Sequence, residues 1–299
     1  MGDGIHLQAR LEDRAEYTGR SIVSEPEETL NEGKITWEKV LTAEFLDVTE
    51  IEGQRISKEQ LDRICHRYHW AAGQCHGLDV LEVACGAGQG LATLKRVAGS
   101  LVAGDYSSEV LENARNIAGD VPLYTFKAEA IPFEPHSFDR ILLFEALYYV
   151  NAQAFFAEAR RLLRKGGTVL IATANKDLYD FTPSPFTTRY LGAKELSSEL
   201  SEAGFDVELF GYLDTAKVGF RQRLLRPAKA LASRLGLIPK TLRGREQLKK
   251  FFFGSMIEMP ATLEGMAFDY EPPSAISGDA PDRRHKVLYC RAVLSKRLN

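Results

Sequence analysis

The buried-strand run from Leu78 to Ala84 stops abruptly at Cys85-Gly86-Ala87-Gly88-Gln89-Gly90, and a helical pattern begins directly after it. A buried strand feeding a glycine-rich turn and then a helix admits few folds. The strand belongs in a parallel sheet, and the helix crosses back over that sheet. Glycine suits the turn because a side chain there would hold the backbone away from an approaching group. In such sheets ligands gather beyond the carboxyl ends of the strands, where the strand order reverses.

The flanking pattern extends this arrangement. A helix is expected over 57–72, with Ser57 and Gln60 at capping-box spacing and Leu61, Ile64, Tyr68 and Ala72 on one face. Further strands are expected at 100–105, 122–128, 138–146, 168–174, 205–212 and 285–294. The helices between them run from Leu91 to about Ala98, from Ser107 to Ile117, from Asn151 to Lys165 and from Ala193 to Ala203. Gly166-Gly167 is read as the stop of the third of these. The roughly 70 residues before the last strand are too long for a hairpin and are read as an inserted helical subdomain. The expected organisation is an acidic extension over 1–56, a core over 57–215 and 284–299, and a basic helical insertion over 216–283.

Composition removes several classes. The 299 residues are 44% apolar and 26% charged, with 38 basic against 41 acidic side chains and a net charge of -3. A chain-wide nucleic-acid binder should be basic, so none is expected. No run of ~18 apolar residues occurs, which excludes a membrane-spanning helix. The polar first twenty residues lack a secretory core. Four cysteines (Cys65, Cys75, Cys85, Cys290) are too few for a disulfide scaffold in a chain this long, so reduced thiols and a cytoplasmic setting are expected. Cys65, His66, His69, Cys75 and His76 cluster in sequence but match no common structural zinc spacing, so no metal is expected.

The glycine turn narrows the ligand. A dinucleotide fingerprint G-x-G-x-x-G fails because Leu91 occupies the third glycine position, and the phosphate loop G-x-x-x-x-G-K-[ST] is absent. A carboxylate at Glu82 would repel a pyrophosphate and suits a cation, such as the ammonium and sulfonium of S-adenosylmethionine. Nineteen residues after Gly86, Asp105 ends the second strand, where a carboxylate can accept from both ribose hydroxyls.

These residues, with Gly104-Asp105-Tyr106-Ser107, Ala128-Glu129-Ala130-Ile131-Pro132-Phe133, Ser137-Phe138-Asp139, Glu145-Ala146-Leu147-Tyr148-Tyr149-Val150 and Leu162-Leu163-Arg164-Lys165-Gly166-Gly167, make the chain resemble class I S-adenosylmethionine-dependent methyltransferases. Within that family it is similar to the small-molecule branch of the ubiquinone/menaquinone-biosynthesis type. The resemblance covers about 57–215 plus the last strand. It implies an α/β fold, Rossmann-like, with a seven-stranded mostly parallel sheet and helices on both faces. It also implies that Ala84, Gly86, Gly88 and Gly90 line the methionine and ribose portions of the cofactor, with Glu82 near its amino group. Asp105 would hold the ribose hydroxyls, Tyr106 would lie beside the adenine, and Ala128 and Glu129 would meet the adenine edge. Relatives often place Asp where this chain has Lys127, and Glu129 is the stand-in. Arg67 or Tyr68 would reach the cofactor carboxylate.

Catalysis of methyl transfer asks mostly for geometry, with a base where the acceptor is a hydroxyl. Glu145, Tyr148 and Tyr149 are the candidates, the tyrosines reading equally as pocket wall. His69 and His136 are lesser candidates for the base. Arg189 and Tyr190, in the proline-stiffened stretch after the fifth strand, are candidate acceptor contacts. No [DN]-P-P-[YF] motif follows the fourth strand, which disfavours amino methylation of bases or protein amides, so the expected acceptor is a small molecule, lipid precursor or glycan. Eleven basic residues against one acid over 217–250, followed by Phe251-Phe252-Phe253, read as a solvated helix, as a lid binding a phosphorylated or lipid-linked acceptor, or as a peripheral membrane contact over 217–253. The competing functions are an NAD(P)-dependent oxidoreductase and a non-catalytic module that only holds the cofactor.

Overall fold

The computed structural model describes residues 51–184, 187–216, 256–266 and 268–295. Residues 1–50 of the acidic extension and the basic stretch 217–253, with its membrane-contact expectation, fall outside the described residues. Among the described residues no helix is long and apolar enough to cross a membrane.

The chain enters through β1 (Arg55–Ser57) into α1 (Lys58–Ala72). The capping box forms as expected: Ser57 Oγ accepts from the Gln60 N–H at 3.2 Å, and the Gln60 side chain accepts from the Ser57 N–H at 3.3 Å. There follow β2 (Asp79–Val83), α2 (Leu91–Lys95), β3 (Ser100–Asp105), α3 (Ser108–Ile117), β4 (Leu123–Thr125), β5 (Phe138–Phe144), a 3-10 turn (Leu147–Tyr149) and α4 (Ala152–Leu162). Next come β6 (Leu163–Ala174), α5 (Ala193–Glu202), β7 (Phe205–Asp214), β8 (Met256–Glu258), β9 (Ser274–Ile276) and β10 (His285–Leu294).

The main sheet has the order β4-β3-β2-β5-β6-β10-β7-β9. From β4 to β6 the strands are parallel, and β10 runs antiparallel between β6 and β7. The order reverses at β2, between β3 and β5, which opens a crevice at their carboxyl ends. Alternate residues Val80, Leu142, Phe144, Leu170, Ala172 and Tyr289 join α1, α2 and α3 in one buried cluster. The intervening Leu81, Ile141, Leu143, Val169, Ile171 and Leu288 are equally sealed on the other face, with α4 against β6 and α5 against β7. Burial on both faces is why these strands read as largely apolar, without a polar alternate face.

All seven expected strands are present, and three differences stand out. The insertion is not helical where it is described: 256–283 contributes β8, which pairs with β1, and β9, which adds an eighth strand beside β7. Pro272-Pro273 immediately before β9, and Pro281 after it, deny that stretch helical hydrogen bonds. The helix expected to reach Lys165 ends at Leu162, because Arg164 pairs with Asp79 and Asp139 at 2.7 and 2.9 Å and draws 163–167 into β6. Helix α2 is also shorter than expected. The chain turns after Lys95 so that Val97 C=O can accept from the Gly77 N–H at 2.8 Å.

Candidate functional site

The carboxyl ends of β2 and β5 each finish on a non-glycine residue with positive φ, Ala84 at 55° and Glu145 at 51°. Such backbone costs about 1–3 kcal/mol per residue and persists where surrounding contacts over-determine it. Both residues flank the crevice. After Ala84 the turn continues through Gly86 (φ 59°) and Gly88 (φ 81°). It is closed by Gly88 N–H to Cys85 C=O at 3.2 Å and by Leu91 N–H to Gly88 C=O at 3.0 Å.

The glycines answer to the protein more than expected. A Cβ on Gly88 would meet Ala114 Cβ of α3 at 3.1 Å, and one on Gly90 would fall inside the Tyr68 ring. Their sequence spacing therefore reflects close packing by α3 and α1. A ligand is not needed to explain it.

Glu82 lies on the α1 side of β2 and is 1% exposed. Tyr68 donates its hydroxyl to Glu82 Oε1 at 2.6 Å, so Tyr68 acts on the acid, where the sequence suggested the cofactor carboxylate. Glu82 Oε2 is buried without a partner. Burial pushes the Glu82 carboxyl up to about 7, and Asp105 adds to the rise, against the Tyr68 hydrogen bond and Arg67, which lower it. Burial and Glu82 together hold the Tyr68 hydroxyl well above its usual range, so it remains a donor.

Asp105 accepts from the Gly86 N–H and the Ser107 N–H, both at 3.0 Å, tying the second strand to the turn. Burial raises its carboxyl, and the backbone donors oppose that rise. The Tyr106 N–H acts on it as well, and since a carboxylate has about four lone-pair sites, three donors leave capacity for about one more. Beside it the Lys127 ammonium lies 5.6 Å from the Tyr106 ring centroid, a cation–π contact that orients the exposed lysine where relatives often carry Asp. Ala128 is buried. Glu129 is not set up as the stand-in: its Oε1 accepts from the Asn151 N–H at 2.8 Å, which ties it to the start of α4.

On the acceptor side, Glu145 Oε1 pairs with Arg63 Nη2 at 2.5 Å, and Glu145 Oε2 accepts from Tyr148 at 3.2 Å. Tyr148 does not suit the role of base, because burial and the Glu145 carboxylate push its hydroxyl well above the usual tyrosine range. Its ring stacks on Tyr190 at 4.5 Å and meets Tyr149 at 4.7 Å. Tyr149 Oη lies 3.4 Å from Ser184 Oγ, and Tyr190 Oη accepts from the Ser184 N–H at 3.1 Å. Tyr190 thus joins this aromatic wall, while its neighbour Arg189 pairs with Glu199 of α5 at 2.8 Å. Arg189 and Glu199 line a cleft of about 370 Å³ with Val150, Asn151 and Thr188.

The histidine candidates are placed elsewhere. His136 precedes β5, at the opposite end of the sheet, and its Nδ1 bonds Leu163 C=O at 2.9 Å. His69 Nδ1 bonds Cys65 C=O at 2.8 Å within its own helix. His66 stacks on Tyr212, with Nδ1 toward Tyr289 Oη and Nε2 toward Glu271 C=O, both at 2.8 Å. A carbonyl only accepts, so Nε2 carries the proton and Nδ1 accepts from Tyr289. Burial lowers this imidazole to about 4, which keeps it neutral.

Arg63 is the residue that sequence reasoning missed. It sits four residues before Arg67 on the same helix face, a pairing of cations that could have drawn attention.

Residues 81–171 match the methyltransferase domain family. A probable S-adenosylmethionine-dependent methyltransferase of Mycolicibacterium smegmatis is 34% identical over 146 residues, covering 47% of this chain and 57% of that protein. A probable S-adenosylmethionine-dependent methyltransferase of Mycobacterium tuberculosis is 33% identical over 150 residues, covering 48% and 55%. The chain thus spans little more than half the length of these relatives. A crystal structure from Thermotoga maritima, described as an S-adenosylmethionine-dependent methyltransferase and possible histamine N-methyltransferase, superposes with a TM-score of 0.49. It is 16% identical, covering 77% of this chain and 88% of that one.

Proposed function

From the match of residues 81–171 to the methyltransferase domain family, we propose that the chain is a class I S-adenosylmethionine-dependent methyltransferase that transfers a methyl group from S-adenosylmethionine to a small-molecule, lipid-precursor or glycan acceptor, releasing S-adenosylhomocysteine. The observation that carries this reading is the unpartnered, fully buried Glu82 Oε2 beside the turn. A carboxylate oxygen sealed from water without a donor suits an ammonium and opposes a pyrophosphate.

When bound, the cofactor supplies an electrophilic methyl on a sulfonium sulfur. The chain supplies position. Glu82 would take the ammonium, Asp105 would accept from a ribose hydroxyl with its remaining lone pair, and the turn from Ala84 to Gly90 would offer main chain between them. Tyr106 would flank the base, with Lys127 and Ala128 at its edge. Glu145, Tyr148, Tyr149 and Tyr190 wall the acceptor side, and the Glu145 carboxylate would receive the proton where the acceptor is a hydroxyl. Holding two reactants in line contributes up to about 7–11 kcal/mol to lowering a barrier, so no stronger base is required.

Isothermal titration with S-adenosylmethionine and with NADH tests the cofactor, with binding of the first expected. Mass spectrometry of metabolite extracts incubated with protein and cofactor tests transfer, through acceptors that gain one methylene. Binding of NADH in place of S-adenosylmethionine would overturn the assignment.

A further inference from the structure

Glu82 is shut away from solvent on every side, and its two oxygens differ. Oε1 takes the Tyr68 hydroxyl at 2.6 Å, whereas Oε2 has no donor. The Tyr68 ring that delivers this hydroxyl has little freedom. It packs on Gly90, where even a Cβ would collide, and it meets the edge of Phe144 at 5.5 Å between centroids. The hydroxyl therefore arrives at one oxygen from a fixed direction.

The other groups that act on Glu82 are few. Arg67 reaches it electrostatically from α1 and Asp105 from β3. Cys85 of the turn and Cys75 of the α1–β2 connection also sense it, but burial pushes Cys75 up to about 12 and Cys85 well above its usual range, so both stay neutral thiols.

We infer that Tyr68 is a positioning residue: by occupying Oε1 it reserves Oε2 as the seat of a ligand cation, and docking of that cation expels the Glu82 proton to solvent. This rests on the reading that S-adenosylmethionine binds here, its α-ammonium being a cation of the required class. The linkage follows from mass action. The ligand-free acid titrates near 7, so only its ionised fraction is competent, and apparent affinity scales with that fraction. One proton leaves per ligand where the acid starts protonated, and it passes to buffer.

The experiment is isothermal titration of the full chain with S-adenosylhomocysteine, which keeps the ammonium and lacks the reactive methyl, from pH 5.5 to 7.5. Affinity of the unmodified protein should rise about 20-fold across that range, as the ionised fraction grows. Repeating the titration in buffers of different ionisation heat should show about one proton released at pH 5.5 and a minor fraction at pH 7.5. Glu82→Gln should flatten both profiles. Tyr68→Phe keeps the ring against Gly90 and Phe144 but removes the hydrogen bond that lowers the acid, so its affinity midpoint should move to higher pH.

The failures are distinguishable. If the unmodified protein binds neither S-adenosylhomocysteine nor S-adenosylmethionine, the cofactor reading falls and this inference with it. Binding whose pH slope survives in Glu82→Gln removes Glu82 from the linkage. Affinity lowered by the same factor at every pH in Tyr68→Phe would make the tyrosine a packing residue and overturn its positioning role.

Discussion

Replacing Glu82 by Gln should change how the stability of the ligand-free fold depends on pH. In the unfolded chain this acid titrates near 4.5, and in the fold near 7. The native state therefore binds the proton more tightly, so stability is greatest below 4.5 and declines as pH rises, levelling off above 7. At ~1.4 kcal/mol per unit, the full decline is about 3 kcal/mol. Between pH 5.5 and 8.5 about 2 kcal/mol of it should be seen, because part has already been lost by 5.5. The glutamine side chain of the variant has no such proton. Its amide adds its own cost, about 1–3 kcal/mol for a buried N–H without a partner, but that cost is the same at both pH values and cancels. The assay is urea denaturation of both proteins at pH 5.5 and 8.5, with the m-value checked for constancy. The unmodified protein should lose about 2 kcal/mol more than the variant over this interval. Parallel pH profiles would show that Glu82 is already ionised at pH 5.5 in the fold, and the argument from its burial would be wrong.

Other substitutions probe the neighbouring contacts. Gly90→Ala should displace the Tyr68 ring and cost about 1–3 kcal/mol by overpacking, measurable by urea denaturation; a neutral result would mean that the ring has room to move. Asp105→Ala should weaken S-adenosylhomocysteine binding in calorimetry by at least about tenfold, since charge-assisted hydrogen bonds contribute about 1.5–3 kcal/mol each. Unchanged affinity would exclude the ribose role. Arg63→Met should destabilise the fold by about 1–3 kcal/mol by leaving the Glu145 carboxylate half-buried without its cation. In a double-mutant cycle with Glu145→Gln the two should couple by at least about 0.5 kcal/mol, and additive losses would show the pair to be energetically idle.

What could be read in advance were the features whose cause is local. The Ser57–Gln60 box, the apolar stretches Val80-Leu81 of β2 and Ile141-Leu142-Leu143-Phe144 of β5 and the positions of Glu82 and Asp105 at strand ends all follow from periodicity, propensity and turn chemistry. The boundary between α4 and β6 does not, because it depends on Arg164 reaching Asp79 and Asp139, from strands far earlier in the chain. The edge strand β9 is equally hidden: three residues after a proline pair carry no strand signal until β7 offers an open edge.

The site shows the same division with more consequence. Glycine spacing suggested where the backbone must be bare, but not what occupies the space, and at Gly88 and Gly90 the occupants are Ala114 and Tyr68. Helix α1 explains why. It sends Arg63 to Glu145 at the end of β5 and Tyr68 to Glu82 in β2, so one helix secures an acid on each side of the crevice. The first pairing spans 82 residues of chain and the second 14, separations across which no helical or strand period operates. Each bond leaves its acid in a different condition. Glu145 has both oxygens engaged, by Arg63 and Tyr148, and so is held in place. Glu82 keeps one oxygen unengaged in a sealed environment, the costlier arrangement for an anion. A fold held by its own contacts alone would pair that oxygen, so the unengaged oxygen supports the proposal that a cation is supplied from outside the chain.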